Sequence, residues 1–224
     1  MACPVYERAW VLEQWFDHLD SWPLHLSFVF AWTPGQDRTL DIIQERAASA
    51  HIIIADEGDH STERDWGKRT RIETLADMRN ALLAYARDVQ PAFYFSLDSD
   101  VLVAPWEYSK RLFDTSFDAV APLVYLGSGD TSNAFYWRGD GHISRVHKER
   151  HYAAQQRVDV IAAAVLMKPA AYNFGSYSYD MLGEDIAWAK SVRDQVKVGF
   201  DSSVVYKHIM DPDKLHVKDV RVPW

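Results

Sequence analysis

The amino-acid sequence predicts an α/β sandwich whose sheet is mostly parallel at the front and mixed at the back. Short β-branched or aromatic runs alternate with stretches that carry apolar residues at helical spacing, and Pro or Gly stands between many of them. No repeat, low-complexity tract or Ser/Gly-rich linker interrupts the alternation. A chain of 224 residues can bury one substantial core, so a single domain over 1–224 is expected.

Ala2-Cys3-Pro4-Val5 reads as a first strand, and Leu12, Trp15, Phe16 and Leu19 place one apolar face on a helix ending near Trp22-Pro23. Leu26 to Ala31 is a second strand closed by Thr33-Pro34-Gly35, followed by a helix over Thr39 to Ala50 and a β-branched third strand over His51 to Ala55. Glu57 to Arg71 reads as a polar surface loop. Ile72 to Arg87 carries the clearest apolar stripe, through Ile72, Leu75, Ala76, Leu82, Leu83 and Ala86. Ala92 to Leu97 is then a buried strand that delivers Asp98-Ser99-Asp100 at its carboxyl end. Later strands are expected over Ala119 to Leu126, Val158 to Met167, Lys197 to Phe200 and Ser203 to Lys207, with Gly127 to Gln156 irregular. Gly183-Glu184-Asp185 opens a helix reaching about Val192.

Composition limits the function classes. The formal net charge of -8 repels a polyanion at long range, so nucleic acid is disfavoured as a partner. One basic group, Arg64, Lys68, Arg69 and Arg71 around Trp66, reads as a solvated loop or a phosphate contact. No apolar run approaches the roughly 20 residues of a membrane helix. The lone Cys3 and the absence of a recognisable leader point to a cytoplasmic location.

In open α/β sheets ligands bind beyond the carboxyl ends of the strands, where Asp98 and Asp100 stand. Residues two apart on an extended segment point the same way, so both carboxylates can face one ion, and hard oxygens suit Mg or Mn. Arg79 lies on the apolar face of its helix and needs a partner there, either a diphosphate or a buried carboxylate. Asp185 and Glu184 begin a helix, where acids serve as caps or, in a cleft, as a general base.

The motifs fall in a recognisable order: Pro4-Val5-Tyr6-Glu7-Arg8 after the first strand, Met78-Arg79-Asn80 in the helix before the acidic strand, and Phe93 to Asp100 with Pro105 beyond it. Gly183-Glu184-Asp185 and His208 come last. This order resembles the GT-A nucleotide-sugar glycosyltransferases, particularly the large, mostly inverting family that builds bacterial polysaccharides. The resemblance spans nearly the whole chain. It implies a Rossmann-like α/β/α sandwich, with a nucleotide-sugar half over 1–104 and an acceptor half over 105–224.

It also implies a divalent cation, Mn or Mg, held by Asp98, Asp100 and His208, with mixed oxygen and nitrogen ligation leaning to Mn. Pro4, Tyr6, Arg8, Arg79, Asp98 and Ser99 would bind the donor, a UDP-sugar as first expectation. Asp98 would either ligate the ion or contact ribose and the ion's waters, Tyr6 would stack on the base or simply pack, and His208 would ligate or lie on the surface. Asp185 would be the base that deprotonates the hydroxyl of a saccharide, protein or other acceptor, with Glu184 orienting that acceptor and inversion as the outcome. His142, His147 and His151, with Trp137, would line an acceptor loop, while Trp188 would stack on sugar or pack on the sheet.

One departure stands out. The family's Asp-Asp-Gly-Ser-x-Asp turn is replaced by Trp32-Thr33-Pro34-Gly35-Gln36-Asp37, which leaves base recognition there to backbone groups. The alternative readings are a sugar-phosphate nucleotidyltransferase, whose Gly-rich phosphate loop is not seen after the first strand, and a non-catalytic carbohydrate- or nucleotide-binding module.

Overall fold

Four strands, β1 (Ala2–Val5), β2 (Val29–Trp32), β3 (His51–Ile54) and β4 (Tyr94–Leu97), run parallel in the spatial order β3-β2-β1-β4. They belong to a computed structural model of the chain that describes residues 1–55, 69–124, 131–138, 142–147 and 154–214. The sheet continues through β11 (Ala164–Met167), β6 (Ala119–Val124), β12 (Val198–His208) and β5 (Val101–Leu102), with β9 (Gln155–Arg157) also paired to β12. Beyond β4 the pairing is mixed, since β11 is antiparallel to β4 and β6 whereas β12 is parallel to β6. The predicted α/β sandwich with a parallel front and a mixed back is therefore the fold observed.

Alternation along the strands sorts side chains between two helical layers. Cys3, Val5, Phe30, Phe95 and Leu97 face α1 (Ala9–Asp20) and α2 (Thr39–Arg46), where they pack with Leu12, Trp15, Phe16 and Ile43. Ala2, Val29, Ala31 and Tyr94 face the other way, toward Leu82 and Leu83 of α3 (Arg69–Val89) and Trp188 of α6 (Glu184–Val192). Full burial of side chains this large contributes about 1.5–3 kcal/mol apiece. Two short helices, α4 (Trp106–Ser109) and α5 (Pro169–Tyr172), complete the layers.

Several expected elements differ. The helix expected from Ile72 begins at Arg69, so Arg69 and Arg71 are helical, while Arg64, Trp66 and Lys68 lie outside the described residues. The segment expected to be irregular contains a hairpin, β7 (Thr131–Trp137) with β8 (Ile143–His147), closed where the Arg138 amide donates to the His142 carbonyl at 2.7 Å. The expected strand over Val158 to Met167 is two: β10 (Val160–Ile161) joins the hairpin as a three-stranded sheet, and β11 joins the central one. Ala163 divides them at φ 67°, in the left-handed region. The two terminal strands expected after Lys197 are one long β12, bulged between Asp201 and Val205.

The turn after β2 locks the first two βα units together. One carboxylate, Asp37, accepts from the Ala9 amide at 2.9 Å through Oδ2 and from the Thr39 amide at 3.0 Å through Oδ1, so it serves the first turns of both α1 and α2. Gly35 sits so close to this junction that a Cβ would fall 2.8 Å from Glu7 Cγ. Replacement Asp37→Ala should cost about 1–3 kcal/mol, since two helix starts lose their acceptor. Asp37→Asn, with one carbonyl oxygen for two amides, should cost about half as much. Urea unfolding of the two variants followed by circular dichroism measures both, and equal stabilities for Ala and wild type would exclude the double cap.

Candidate active site

Asp98-Ser99-Asp100 forms a tight turn rather than the extended segment expected, closed where the Val101 amide donates to the Asp98 carbonyl at 3.1 Å. Within the turn each carboxylate has its own partners. Tyr94 and Ser96 of β4 point toward α3, and Asp98 continues on that side. Asp100, the third residue of the turn, meets the end of β12, because antiparallel pairing with β5 sets His208 opposite Val101. His208 Nε2 then lies 3.2 Å from Asp100 Oδ1, with 7 % of its side chain exposed. This register explains how a histidine more than a hundred residues downstream reaches the acidic turn.

Arg79 joins the two halves of the site. It is 4 % exposed and donates from Nη2 to Asp98 Oδ1 at 2.7 Å, from Nη1 to Ser96 Oγ at 3.1 Å and from Nε to Glu184 Oε1 at 3.1 Å. Two carboxylates partner it, the half-buried Asp98 and the buried Glu184. Glu184, only 8 % exposed, is held through Oε1 by this bond. Asn80, the next residue, takes the Tyr177 amide and carbonyl in paired 2.8 Å bonds, which ties the segment ahead of α6 to α3. The Tyr177 ring lies 5.6 Å from the Arg79 guanidinium and stacks on Trp188, which is packed in the core and not free for a sugar.

Gly183, at φ 123° and ψ 159°, turns the chain into α6 in a conformation that essentially only glycine adopts. Asp185 follows, half-buried, and no described residue donates a hydrogen bond to its carboxylate. Burial, with the carboxylates of Glu184 and Asp98, pushes its pKa well above the ordinary range against the pull of Arg79. Asp98 is also raised, by burial and by Asp100, despite Arg79. Asp100 goes the opposite way: burial would raise it, but His208 and Arg8 hold it below the usual value. His208 is raised, its burial outweighed by Asp100.

The remaining expected residues scatter around this edge. Pro4 lies in β1 opposite Ala31, and Ser99 is buried in the acidic turn. Tyr6 is half-buried in the turn after β1. Arg8 donates through Nη1 to the Tyr6 and Glu7 carbonyls at 3.2 and 3.4 Å and brings Nη2 within 3.8 Å of Asp100 Oδ2. The backbone around Trp32 and Thr33 is already engaged, since the Thr33 amide donates to Val5 and the Trp32 carbonyl accepts from Ala55. His142 is exposed at the hairpin turn and Trp137 is half-buried with Lys190 Nζ 5.6 Å from its ring. The side chain of His147 and all of His151 lie outside what is described.

Solved structures share this architecture. GalNAc-T7 with UDP, GalNAc and Mn2+ matches at a TM-score of 0.64 and 13% identity over 93% of this chain and 43% of that one. S. aureus TarS 1-349 matches at 0.57 and 12% identity over 92% and 59%. The nucleoside-diphosphate-sugar pyrophosphorylase of Vibrio cholerae RC9 matches at 0.55 and 7% identity over 96% and 97%. The fold is Rossmann-like GT-A. The chain thus spans less than two thirds of the first two neighbours, and identities this low speak to fold alone. No protein-family model and no curated protein sequence matches the chain.

Among the described residues no three His, Cys, Asp or Glu side chains converge into a cage for an ion. Cations of the Mg type, however, are usually held by one or two carboxylates together with substrate phosphates and water. Asp100 and His208, already 3.2 Å apart, supply an oxygen and a nitrogen donor of that kind. Two buried nitrogens at the same edge, Arg8 Nε and His208 Nδ1, have no hydrogen-bond partner, as expected where a further group completes a site. The donor set fits a divalent cation shared with a phosphate ligand.

Removal of Arg79 should be severe. Arg79→Ala leaves Asp98 and Glu184 buried without their cation, and breaking such a pair costs about 3–5 kcal/mol. Arg79→Lys keeps the charge but not the fork that reaches three acceptors, so an intermediate loss is expected. Denaturant midpoints of both variants test this, and an Ala variant as stable as wild type would mean that the three bonds contribute nothing net.

Proposed function

We propose that this chain is a divalent-cation-dependent glycosyltransferase that moves a sugar from a nucleoside-diphosphate donor, with a UDP-sugar as the first donor to test, to an acceptor hydroxyl, with inversion. The observation that carries the reading is the convergence of three distant segments at one sheet edge. Asp98 and Asp100 come from the turn after β4, His208 from the end of β12, and Asp185 from the start of α6, the last joined to the first through Glu184 and Arg79. The shared fold with GalNAc-T7, solved with UDP, GalNAc and Mn2+, supports the choice of donor class and cation.

When bound at Asp100 and His208, the cation would neutralise charge developing on the departing diphosphate. Arg8, beside Asp100 at 3.8 Å, adds a second positive charge on the same side. Asp185 would take the proton of the acceptor hydroxyl. Its raised pKa makes it a stronger base once ionised than an ordinary carboxylate, and no protein hydrogen bond from the described residues competes for its oxygens. Glu184 acts through Arg79, holding the first turn of α6 and hence Asp185 against the acidic turn.

The nucleotidyltransferase reading keeps one supporting observation, the match over 97% of the Vibrio cholerae pyrophosphorylase. The turn after β1 disfavours it. Its residues Tyr6-Glu7-Arg8 include no glycine, and the Arg8 and Ala9 amides at the start of α1 are taken by Thr39 and Asp37 rather than left for a triphosphate. Release of pyrophosphate from a nucleoside triphosphate and sugar phosphate would select that reading; release of nucleoside diphosphate from a nucleotide sugar selects transfer.

Asp185→Asn separates chemistry from folding. Because the native state holds the Asp185 proton more tightly than the unfolded chain does, stability falls as pH rises between the unfolded and folded pKa values. The neutral amide removes that cost, so the variant should be at least as stable as wild type near neutrality. Transfer should nevertheless fall about 100- to 10,000-fold, with donor and Mn2+ affinity retained. In the wild type, kcat/KM should climb with pH and level off with an apparent pKa well above the ordinary carboxylate range. Asp100→Ala should instead lose Mn2+-dependent donor binding. Near wild-type transfer by Asp185→Asn would remove it as the base.

A further inference from the structure

Trp15, His18 and Trp22 recur at intervals of three and four, so they line one face of α1 and its extension. That face does more than pack. Each of the three ring nitrogens donates to a main-chain carbonyl of the segment that leaves β4. Trp15 Nε1 bonds to Asp98 at 3.2 Å, His18 Nδ1 to Val103 at 2.9 Å and Trp22 Nε1 to Ala104 at 2.9 Å. A carbonyl only accepts, so His18 carries a proton on Nδ1, and burial lowers the pKa of the ring.

The bond from Trp15 differs from the other two in where it lands. The Asp98 carbonyl already accepts the Val101 amide that closes the turn, so the indole takes the second lone pair of the same oxygen. Among the described residues the main chain of the turn has two other ties, from the Asp98 amide to Ala163 at 2.9 Å and from the Ile209 amide to the Asp100 carbonyl at 2.8 Å. Both are main-chain bonds. Trp15 supplies a side-chain tie to the peptide between Asp98 and Ser99, and it is wedged among Phe16, Phe28 and Phe30 at ring separations of 5.1 to 6.1 Å, with 1 % exposure. A ring so packed fixes its donor, and the donor fixes the plane of the peptide from which the acidic turn starts.

We propose that Trp15 is a positioning residue for cation binding: its indole N–H holds the Asp98-Ser99-Asp100 turn in the arrangement that presents Asp100 to the ion. The inference rests on the reading of this edge as a cation site and adds a residue from a different layer of the fold to it. Trp22 is a matched control, since it is 4 % exposed, lies on the same face and makes the same kind of bond, but to a carbonyl beyond the turn.

The experiment titrates the full chain with Mn2+ alone and follows loss of the free-ion electron paramagnetic resonance signal, for wild type, Trp15→Phe and Trp22→Phe. Groups that orient a metal's ligands typically change affinity about 10- to 100-fold, so Trp15→Phe should raise the Mn2+ dissociation constant by about tenfold. Trp22→Phe should leave it unchanged although both variants lose an indole from the same core. Replacement of Trp15 by benzothienylalanine, which keeps the bicyclic ring and removes only the N–H, should reproduce the loss without the cavity and serves if Trp15→Phe fails to fold. Wild-type affinity in the benzothienylalanine protein, or equal weakening by Trp15→Phe and Trp22→Phe, would overturn the proposal. A wild-type protein that withdraws no Mn2+ would instead overturn the cation site itself, and the role of Trp15 with it.

Discussion

A single buried guanidinium holds the site together. Arg79 is a cation removed from water, and its hydrogen-bonding nitrogens must find acceptors inside the protein or cost several kcal/mol. The sequence meets that demand from two directions. The alternation of β4 brings Ser96 and then Asp98 onto the face that α3 covers, and the turn at Gly183 brings Glu184 to the same place from the far side. Burial would lower the affinity of Arg79 for its proton, but the carboxylates of Asp98, Asp185 and Glu184 raise it far beyond the usual value. The charge is thereby fixed, and the acidic turn and the start of α6 are fixed relative to each other.

That constraint divides the four acids into two kinds. Glu184 and Asp98 are engaged by Arg79, while Asp185 and Asp100 make no bond to it. Asp185 lies within its field but makes no hydrogen bond among the described residues, and its proton affinity rises through burial. Asp100 is paired with His208 and Arg8, and its proton affinity falls. Two carboxylates with displaced and opposite proton affinities are what the proposed division between a proton acceptor and a cation ligand calls for.

Much of the frame was legible from local pattern alone: Leu12, Trp15, Phe16 and Leu19 mark the buried face of α1, the β-branched Ile52, Ile53 and Ile54 mark β3, and Gly183 stands just before α6. The β7–β8 hairpin was not. Ser132 and Asn133 are polar letters that ordinarily mark a loop, yet both are buried. Ser132 Oγ donates to the Val146 carbonyl, and Asn133 accepts the Val124 amide and donates to the Ala162 carbonyl, so their burial costs little. A polar side chain satisfied by distant backbone leaves no trace in a local pattern. The run from Val158 to Met167 failed for the converse reason. It is apolar or small throughout apart from Asp159, and the break falls at Ala163, a residue type that rarely marks a turn.

The site followed the same logic. Asp98, Asp100, Asp185 and His208 are picked out by chemistry and order, but their relation depends on long-range pairing that composition does not encode. The opposition of His208 and Val101 follows from the register of β12 on β5, which the bulge after Asp201 readjusts along the way. The turn after β2 makes a related point. Asp37 spends both oxygens on the first amides of two helices. The geometry of the βα junction accounts for an acid there without any ligand. The same junction sets the start of α1, and so the height at which Trp15 meets the acidic turn.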